Sequence, residues 1–223
     1  MQSGCDLRMS QMMAMYEPEL HPLKNEWALW HLEKEESKEW VDCLKVIREI
    51  ETSEDYWLMF HNVASPGNLK NGSDYCFFKK GVIPMWEDKH NKFGGRWLIE
   101  IGEKKTPQET TQHINFHWYK MLFAMVTDKF GEYGKNICGA VVNIRQENNK
   151  ISLWTCDGKN DDANLKIGGI LKTELSIPDS AIMKYQLHEN FLIGIKYYAR
   201  PRLFIPPRER FSYSASQCFS PKL

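Results

Sequence analysis

Alternation of apolar and polar positions predicts β-strands in several parts of the chain. Residues 27–32, 97–101 and 140–145 each alternate with the period of two that places successive side chains on opposite faces of a sheet. The sequence therefore predicts short strands, several of them joined as hairpins.

Apolar residues spaced three and four positions apart predict three helices. Thr52 and Asp55 form a capping box, in which each side chain accepts a hydrogen bond from the other residue's backbone, and they open the first helix. The second helix is expected over about 110–129, and the third from 161–162 to a point before Pro178. Strands interleaved singly with helices predict an α+β fold, with helices covering one face of a largely antiparallel sheet.

One segment, residues 40–50, fits two patterns. Trp40, Leu44 and Ile47 make a helical stripe, whereas the β-branched residues of the segment favour a strand. The pattern by itself leaves the choice open.

The distribution of aromatic residues sets the expected domain boundaries. Residues 21–205 are dense in aromatic side chains and are expected to form one domain. Residues 1–20 are rich in Met, Gln and Ser without a sustained period, so we expect a flexible arm there. Residues 206–223 mix Pro, Arg and Ser and predict a loosely ordered tail.

Composition and charge exclude several classes of protein. Lys+Arg and Asp+Glu number 29 each, which argues against the overall basic coat of a non-specific nucleic-acid binder. A mean hydropathy of −0.52 and the lack of a long apolar run argue against a membrane span. With no signal-peptide pattern and six widely spaced cysteines, we expect reduced thiols, a cytoplasmic protein and no zinc finger. Eight tryptophans are unusually many for 223 residues and need an explanation.

A polar turn at 146–149 predicts a hairpin with distinctive chemistry. If Arg145 pairs with Lys150, the strand period places both cations and Trp154 on one face, opposite an apolar face. Like charges directly opposite each other are unfavourable unless an anion lies between them. The spacing leaves two interpretations open, namely an anion site or two solvated cations beside a packed tryptophan.

The segment from Pro84 to Asp88 combines an aromatic ring with two carboxylates. Trp86 and Glu87 can offer a π-face and hydrogen-bond acceptors to a flat cationic ring, and the attraction of a cation to an indole face contributes about 0.5–2 kcal/mol. Considered alone, the segment favours the simpler alternative of a tryptophan that closes the sheet edge beside a solvated acidic turn.

Together, these segments resemble the eukaryotic translation initiation factor 4E family, whose members bind the 7-methylguanosine cap of messenger RNA. The resemblance runs from about His21 to His188, and all eight tryptophans fall where the family has one. It implies a curved, mainly antiparallel sheet of about eight strands, with three helices on the convex face and the cap slot on the concave face. It also implies that 40–50 is a loop leading into a strand. The resemblance rests on Trp27–Trp30, Trp40, Tyr56–Trp57, Pro84–Asp88, Gly94–Trp97 and Cys138–Arg145.

The resemblance assigns roles to residues of the cap slot. Trp40 and Trp86 would sandwich the methylated guanine, which is cationic because of its N7 methyl group, and Trp154 would pack near that methyl group. Glu87 would accept hydrogen bonds from the base, and the Trp86 backbone N–H would donate to the base carbonyl oxygen. The phosphates would be held by three cations, Arg145, Lys150 and, through water, Arg96.

The resemblance also implies a docking surface for the helical peptide of a 4G-type scaffold initiation factor or of a 4E-binding repressor. Here the chain departs from the family, because Ser53 replaces an apolar residue and Tyr119, Lys120 and Phe123 replace a leucine, a glutamate and a leucine. A cation at position 120 would weaken or redirect the binding of a basic peptide. The expected docking residues are His21, Pro22, Ser53, Trp57, Tyr119, Lys120 and Phe123.

The sequence thus predicts a cap-binding, non-enzymatic translation initiation factor without cofactor or metal. The alternative within binding proteins is a cap-binding repressor or specialised isoform with altered scaffold docking. An enzyme acting on caps would need a carboxylate cluster or an activated nucleophile near Arg145, and the sequence offers neither. His113 and His117 have zinc-ligand spacing but lack a third ligand, so they are expected to be a solvated pair.

Overall fold

The structure, a computed structural model, describes most of the chain between residues 19 and 205. The predicted tail, 206–223, and all but the last two residues of the predicted arm lie outside the described residues, as does the side chain of Trp40. The described residues are 19–35, 37, 39–102, 106–146, 148–178, 183–189 and 203–205.

Within the described residues, eight strands form one sheet in the order β2-β1-β3-β5-β6-β4-β7-β8. Every neighbouring pair is antiparallel, which confirms the prediction of a mainly antiparallel sheet of about eight strands. The strands are β1 (Pro22–Leu32), β2 (Leu44–Thr52), β3 (Asp74–Lys79), β4 (Gly95–Ile101), β5 (Ile137–Asn143), β6 (Asn149–Thr155), β7 (Met183–Leu187) and β8 (Leu203–Ile205).

In the part of the chain that the structure describes, three α-helices accompany the sheet, as the apolar spacing predicted. They are α1 (Ser53–Asn62), α2 (Pro107–Val126) and α3 (Asp161–Glu174). The capping box at the start of α1 is present, because the Asp55 N–H donates to the Thr52 hydroxyl at 3.1 Å and the Thr52 N–H donates to the Asp55 carboxylate at 3.0 Å.

The ambiguous segment 40–50 is not an α-helix. Residues Trp40–Cys43 form a single 3₁₀ turn, and β2 follows directly, paired with β1 through Trp30 opposite Val46 and Leu32 opposite Leu44. The helical stripe is therefore wrong and the loop-then-strand interpretation is confirmed. Pairing with β1 decides the outcome, since β-branched residues gain from a cross-strand neighbour that a local pattern does not reveal.

The strand period of two divides the core between the two faces of the sheet. On the face that the helices cover, fully buried side chains such as Phe77 and Trp97 join the apolar residues of α1, α2 and α3. On the opposite face a smaller apolar cluster contains Phe78 and Trp154, with Trp86 packed against it. Adjacent residues of the same strand thus serve different faces.

The hairpin between β5 and β6 has a different register from the predicted one. Lys150 pairs with Asn143, and Arg145 lies past the strand end, where its N–H donates to the Asn149 side chain at 2.8 Å. The predicted pairing of Arg145 with Lys150 is wrong by two residues. Because the error is even, the predicted division of side chains between the faces survives, with Ile151 on the helix-covered face.

The histidine pair on α2 is not the solvated pair that its spacing predicted. His117 is buried, its Nδ1 lies 2.8 Å from the His113 backbone oxygen, and the two rings meet edge to face at 4.3 Å. Among the described residues no group of three potential ligands could hold a metal ion. In the same part of the chain no helix is both long and apolar enough to cross a membrane.

Candidate functional site

The sheet face opposite the helices carries a groove, whose inner half is a cleft of about 500 Å³. This inner, aromatic half contains the Trp86 and Trp154 rings, and it opens into a polar mouth lined by Lys150 and by polar residues of the β5–β6 turn. The two halves share Arg96, Asn143 and Arg145, so they form one continuous groove. The inner half is lined by Val41, Asp74, Cys76, Pro84, Met85, Trp86, Glu87, Val141 and Trp154 together with those shared residues.

Trp154 forms the aromatic floor of the cleft. It is 4% exposed, and the Phe78 ring meets it edge to face at 5.4 Å. The Trp86 ring lies nearly parallel to it, at an angle of 24° and a centroid distance of 6.5 Å. His188 packs at 4.3 Å from the Trp154 ring. The cleft is therefore bordered by a buried indole, Trp154, and a partly exposed one, Trp86, and the packing around Trp154 fixes the orientation of its ring.

The loop over residues 80–94, between β3 and β4, carries Trp86 and Glu87 to the cleft. Its end can close onto the sheet only because residue 94 is glycine, since a Cβ atom there would lie 1.8 Å from the Thr155 backbone oxygen. Directly after this contact, β4 places Arg96 opposite Trp154 of β6. The glycine thus brings a cation to the side of the aromatic floor.

Arg145 is held by a carboxylate that the sequence analysis did not find. Asp74 is buried at the start of β3 and forms a two-pronged ion pair with the guanidinium, at 2.7 and 3.2 Å. Asp74 reaches this position because β3 pairs with β5 through Asp74 opposite Asn143. A carboxylate directly before the apolar run of β3 was the available signal, but its partner lies 71 positions away in the sequence.

Arg96 has a partner that the sequence analysis also missed. The Gln186 side-chain oxygen accepts hydrogen bonds from the guanidinium at 3.2 and 3.3 Å, through the register that pairs β4 with β7. Burial lowers the pKa of Arg96 to about 10, which still leaves it protonated at neutral pH. Arg96 is therefore a cation held in a fixed position beside the aromatic floor.

His188 is a buried neutral group behind the floor of the cleft. Burial lowers its pKa to about 4, and nearby Arg96 acts in the same direction. Its Nδ1 lies 2.8 Å from the Asn91 backbone oxygen. Because a carbonyl oxygen only accepts hydrogen bonds, this contact identifies Nδ1 as the protonated nitrogen.

Most of the predicted cap-slot residues meet in this groove. Val41 lines it, which places the backbone of neighbouring Trp40 beside it, but the Trp40 side chain is outside the described part. The predicted residues that the groove brings together are Trp86, Glu87, Trp154, Arg96, Arg145 and Lys150.

The predicted docking residues lie on the helices and at the start of β1. The His21 N–H and Nδ1 contact the Glu54 carboxylate at 3.0 and 2.8 Å, and the Ser53 N–H donates to the His21 oxygen. The hydrogen bond from the His21 backbone is the main reason why the pKa of Glu54 falls to about 2. Pro22 begins β1, and Trp57, on α1, is 48% exposed.

The α2 part of this surface is tied to its neighbours. Tyr119 packs against Phe60 of α1 at 4.6 Å, and Phe123 is 43% exposed. The Lys120 ammonium donates to the Ser176 hydroxyl at 2.9 Å and lies 5.0 Å from the centre of the Phe116 ring. The cation at position 120 is thus directed along the helix surface towards the end of α3.

Comparison with known proteins identifies the family. The family model described as eukaryotic initiation factor 4E matches residues 22–195. The chain is 46% identical over 195 residues to eukaryotic translation initiation factor 4E-3 of Caenorhabditis elegans, covering 86% of this chain and 77% of that protein. The chain belongs to the eukaryotic initiation factor 4E family.

Solved structures of family members agree with this assignment. A complex of Caenorhabditis elegans eIF4E-3 with the 4E-binding protein Mextli and a cap analogue matches with a TM-score of 0.76 and 45% identity, over 84% of this chain and 100% of that chain. A complex of Ascaris suum eIF4E-3 with the m7G cap matches with a TM-score of 0.77 and 42% identity, over 85% and 100% of the two chains. The eukaryotic initiation factor 4E family match spans the whole groove from Val41 to Trp154.

Proposed function

We infer that this family member binds the 7-methylguanosine cap of messenger RNA and serves translation initiation in the cytoplasm. The observation that carries the inference is the groove itself, in which an aromatic half with a carboxylate joins a half lined by cations. A cap is a cationic base joined to a chain of phosphates, and the groove has matching chemistry along its length. The cap-bound relatives from Caenorhabditis elegans and Ascaris suum support the same assignment.

In the aromatic half, stacking and charge select the methylated base. A guanine methylated at N7 is a cation, so it gains from the electron-rich face of an indole in a way that neutral guanine does not. Trp86 supplies one such face, and we assign the other to Trp40. Glu87 accepts hydrogen bonds from the N1–H and the neighbouring amine of guanine, a pair of donors that adenine does not have. Trp154 packs near the methyl group.

In the cationic half, Arg145, Lys150 and Arg96 hold the phosphates. The ion pair with Asp74 leaves Arg145 anchored, so little side-chain entropy remains to be lost when a phosphate binds. Arg96 is anchored in the same way by Gln186. This assignment is a binding function that breaks no bond, so we propose that the protein is not an enzyme.

Calorimetric titration with 7-methyl-GDP and with GDP tests the cap assignment. We expect clear preference for the methylated ligand, and Trp86→Ala should weaken its binding by about 5- to 100-fold because a stacking partner is lost. Trp57→Ala is the matched control, since it removes an exposed tryptophan on the other side of the molecule. Equal, weak binding of both nucleotides by the unmodified protein would contradict the proposal.

We also propose that the surface of His21, Pro22, Ser53, Trp57 and the exposed side of α2 docks a helical peptide of a scaffold factor or repressor. Exposed aromatic residues on adjacent helices support it, because an amphipathic helix binds through apolar anchors. The Mextli complex of Caenorhabditis elegans eIF4E-3 supports a partner of this kind.

A helical peptide with a tyrosine and a leucine-apolar pair tests the docking surface. Trp57→Ala should abolish its binding while Trp86→Ala leaves it unchanged, the reverse of the pattern for the cap. Lys120→Glu should strengthen the binding of a basic peptide, because the repulsion is removed. Failure of both the unmodified and the Lys120→Glu protein to bind would favour the cap-binding repressor or specialised isoform.

A further inference from the structure

The loop that carries Trp86 and Glu87 contacts the sheet at its two ends but belongs to no strand. β3 ends at Lys79 and β4 begins at Gly95, so the intervening residues have no strand ladder to fix them. A residue that binds a base within such a loop needs another source of rigidity.

Asn91 supplies that rigidity from the far end of the loop. Its side chain is fully buried, and its amide nitrogen donates to the backbone oxygens of Ile83 and Met85, each at 2.8 Å. Its own N–H donates to the Asp88 oxygen at 2.9 Å. A single asparagine thereby ties together the residues on both sides of Trp86.

The bond to Met85 acts directly on the predicted base-binding group. The Met85 oxygen and the Trp86 N–H belong to the same planar peptide unit, so a hydrogen bond that fixes one fixes the direction of the other. The Asp88 N–H also donates to the Met85 oxygen, at 3.3 Å. The Trp86 N–H is the group assigned to the carbonyl oxygen of the base.

The backbone of Asn91 connects the loop to the aromatic floor. Its oxygen accepts hydrogen bonds from the Gly94 N–H at 2.9 Å and from His188 Nδ1 at 2.8 Å. His188 in turn packs against the Trp154 ring at 4.3 Å. Asn91 therefore contacts both the backbone next to Trp86 and His188, which packs against Trp154.

We propose that Asn91 is a positioning residue for recognition of the base, which sets the Trp86–Glu87 segment against Trp154 before the ligand arrives. The proposal rests on the cap-binding function proposed above. The role requires two N–H donors, because both hydrogen bonds run from the side-chain nitrogen to backbone carbonyl oxygens. Aspartate has the same shape but no such donors, which makes it the decisive substitution.

The test compares Asn91→Asp and Asn91→Ser with the unmodified protein in titrations of 7-methyl-GDP and GDP at two salt concentrations. Asn91→Asp should bind 7-methyl-GDP about tenfold more weakly, because the loss of both Asn91 donors releases the loop and so costs the ligand the one hydrogen bond assigned to the Trp86 N–H. The preference for the methylated nucleotide should fall, while the salt dependence, which reports the phosphate contacts, stays unchanged. Asn91→Ser keeps one donor, its hydroxyl, so its affinity for 7-methyl-GDP should lie between those of the unmodified protein and Asn91→Asp.

Asn164 provides a matched control. It is also fully buried, and its amide nitrogen donates to the Asp157 backbone oxygen at 2.8 Å. It lies on α3 outside the lining of the groove, and its connection to the loop is indirect, through the Gly158 N–H that donates to the Phe93 oxygen at the loop's end. Asn164→Asp should lower thermal stability without changing nucleotide preference among folded molecules. The proposal would be overturned if both Asn91 variants kept the full preference for 7-methyl-GDP over GDP. It would also be overturned if Asn164→Asp lost that preference to the same extent.

A measurement on the unmodified protein covers the case in which the Asn91 variants do not fold. In ¹⁵N-resolved spectra, the two side-chain amide protons of Asn91 should exchange with solvent far more slowly than those of exposed Asn68. Adding 7-methyl-GDP should shift the Trp86 N–H signal while the Asn91 amide signals remain protected. Rapid exchange of the Asn91 amide protons would overturn the proposal. Absence of methyl preference in the unmodified protein would instead refute the cap assignment.

Discussion

The helix-covered face and the cleft face of the sheet are built from adjacent residues of the same strands. In β4, Trp97 is buried under the helices while Arg96 lies in the cleft. In β6, Leu153 and Trp154 divide in the same way. One face is a continuous apolar core, whereas the other combines a small apolar cluster with cations. The alternation of side chains along a strand thus places the residues of the main core on one face and the residues of the groove on the other.

The largest expected effect comes from Phe77 and Phe78, neighbours that face opposite sides of β3. Both are fully buried, so replacing either by alanine should cost about 3–5 kcal/mol of the free energy of unfolding, as measured by urea denaturation.

For the binding test, the milder substitutions Phe77→Leu and Phe78→Leu are used, because they should keep the protein folded. Only Phe78→Leu should weaken 7-methyl-GDP binding, because the Phe78 ring packs against Trp154. If both leucine variants bound 7-methyl-GDP equally well, the proposal that the two faces have separate roles would be contradicted.

A second effect follows from the buried histidine on the cleft side. The pKa of His188 is about 4 in the folded protein, below the value near 6.5 of an unfolded chain, so the unfolded state binds more protons between these values. The stability that neutral His188 provides is complete above pH 6.5 and is lost as the pH falls towards 4. This amounts to about 3 kcal/mol.

His188→Gln isolates this contribution, because carboxylates that titrate in the same range are common to both proteins. Urea denaturation from pH 7 to pH 4 should show a shallower loss of stability in the variant than in the unmodified chain. Parallel curves would mean that His188 does not control the acid stability of the cleft side.

The smallest effect concerns a single cation at the polar mouth. Lys150→Ala should weaken 7-methyl-GDP binding by about 0.2–1 kcal/mol at low salt, since a partly exposed charge pair contributes little. The difference should shrink as salt is added, because ions screen exposed charges. Lys166→Ala, at an exposed position of α3, is the control and should have no effect on binding. An effect of Lys150→Ala that is independent of salt would argue against a phosphate contact.

Much of the fold follows from local patterns. The capping box at Thr52 and the apolar spacing of α2 identify helix positions to within a few residues, because capping and burial of one helix face are local properties of the sequence. The 40–50 segment did not follow its helical stripe, since pairing with β1 outweighs a weak local preference.

The residues proposed to bind the ligand could be predicted from the sequence, but the residues that hold them in place could not. Trp86, Glu87 and Arg145 belong to recognisable segments, and the groove brings them together. Asp74 and Gln186, which hold the arginines, could not be found from the sequence because their contacts depend on strand register.

The sequence by itself determined the positions of the three helices and the alternation that sorts side chains between the two faces, and it predicted the residues that we propose bind the cap. The helices and the alternation depend on neighbours within a few positions, where backbone geometry is fixed. Only the tertiary structure decided the register of the β5–β6 hairpin and the contacts of Asn91 with the Trp86 segment and His188. Such contacts join atoms up to 97 positions apart, and their geometry depends on how the whole chain packs.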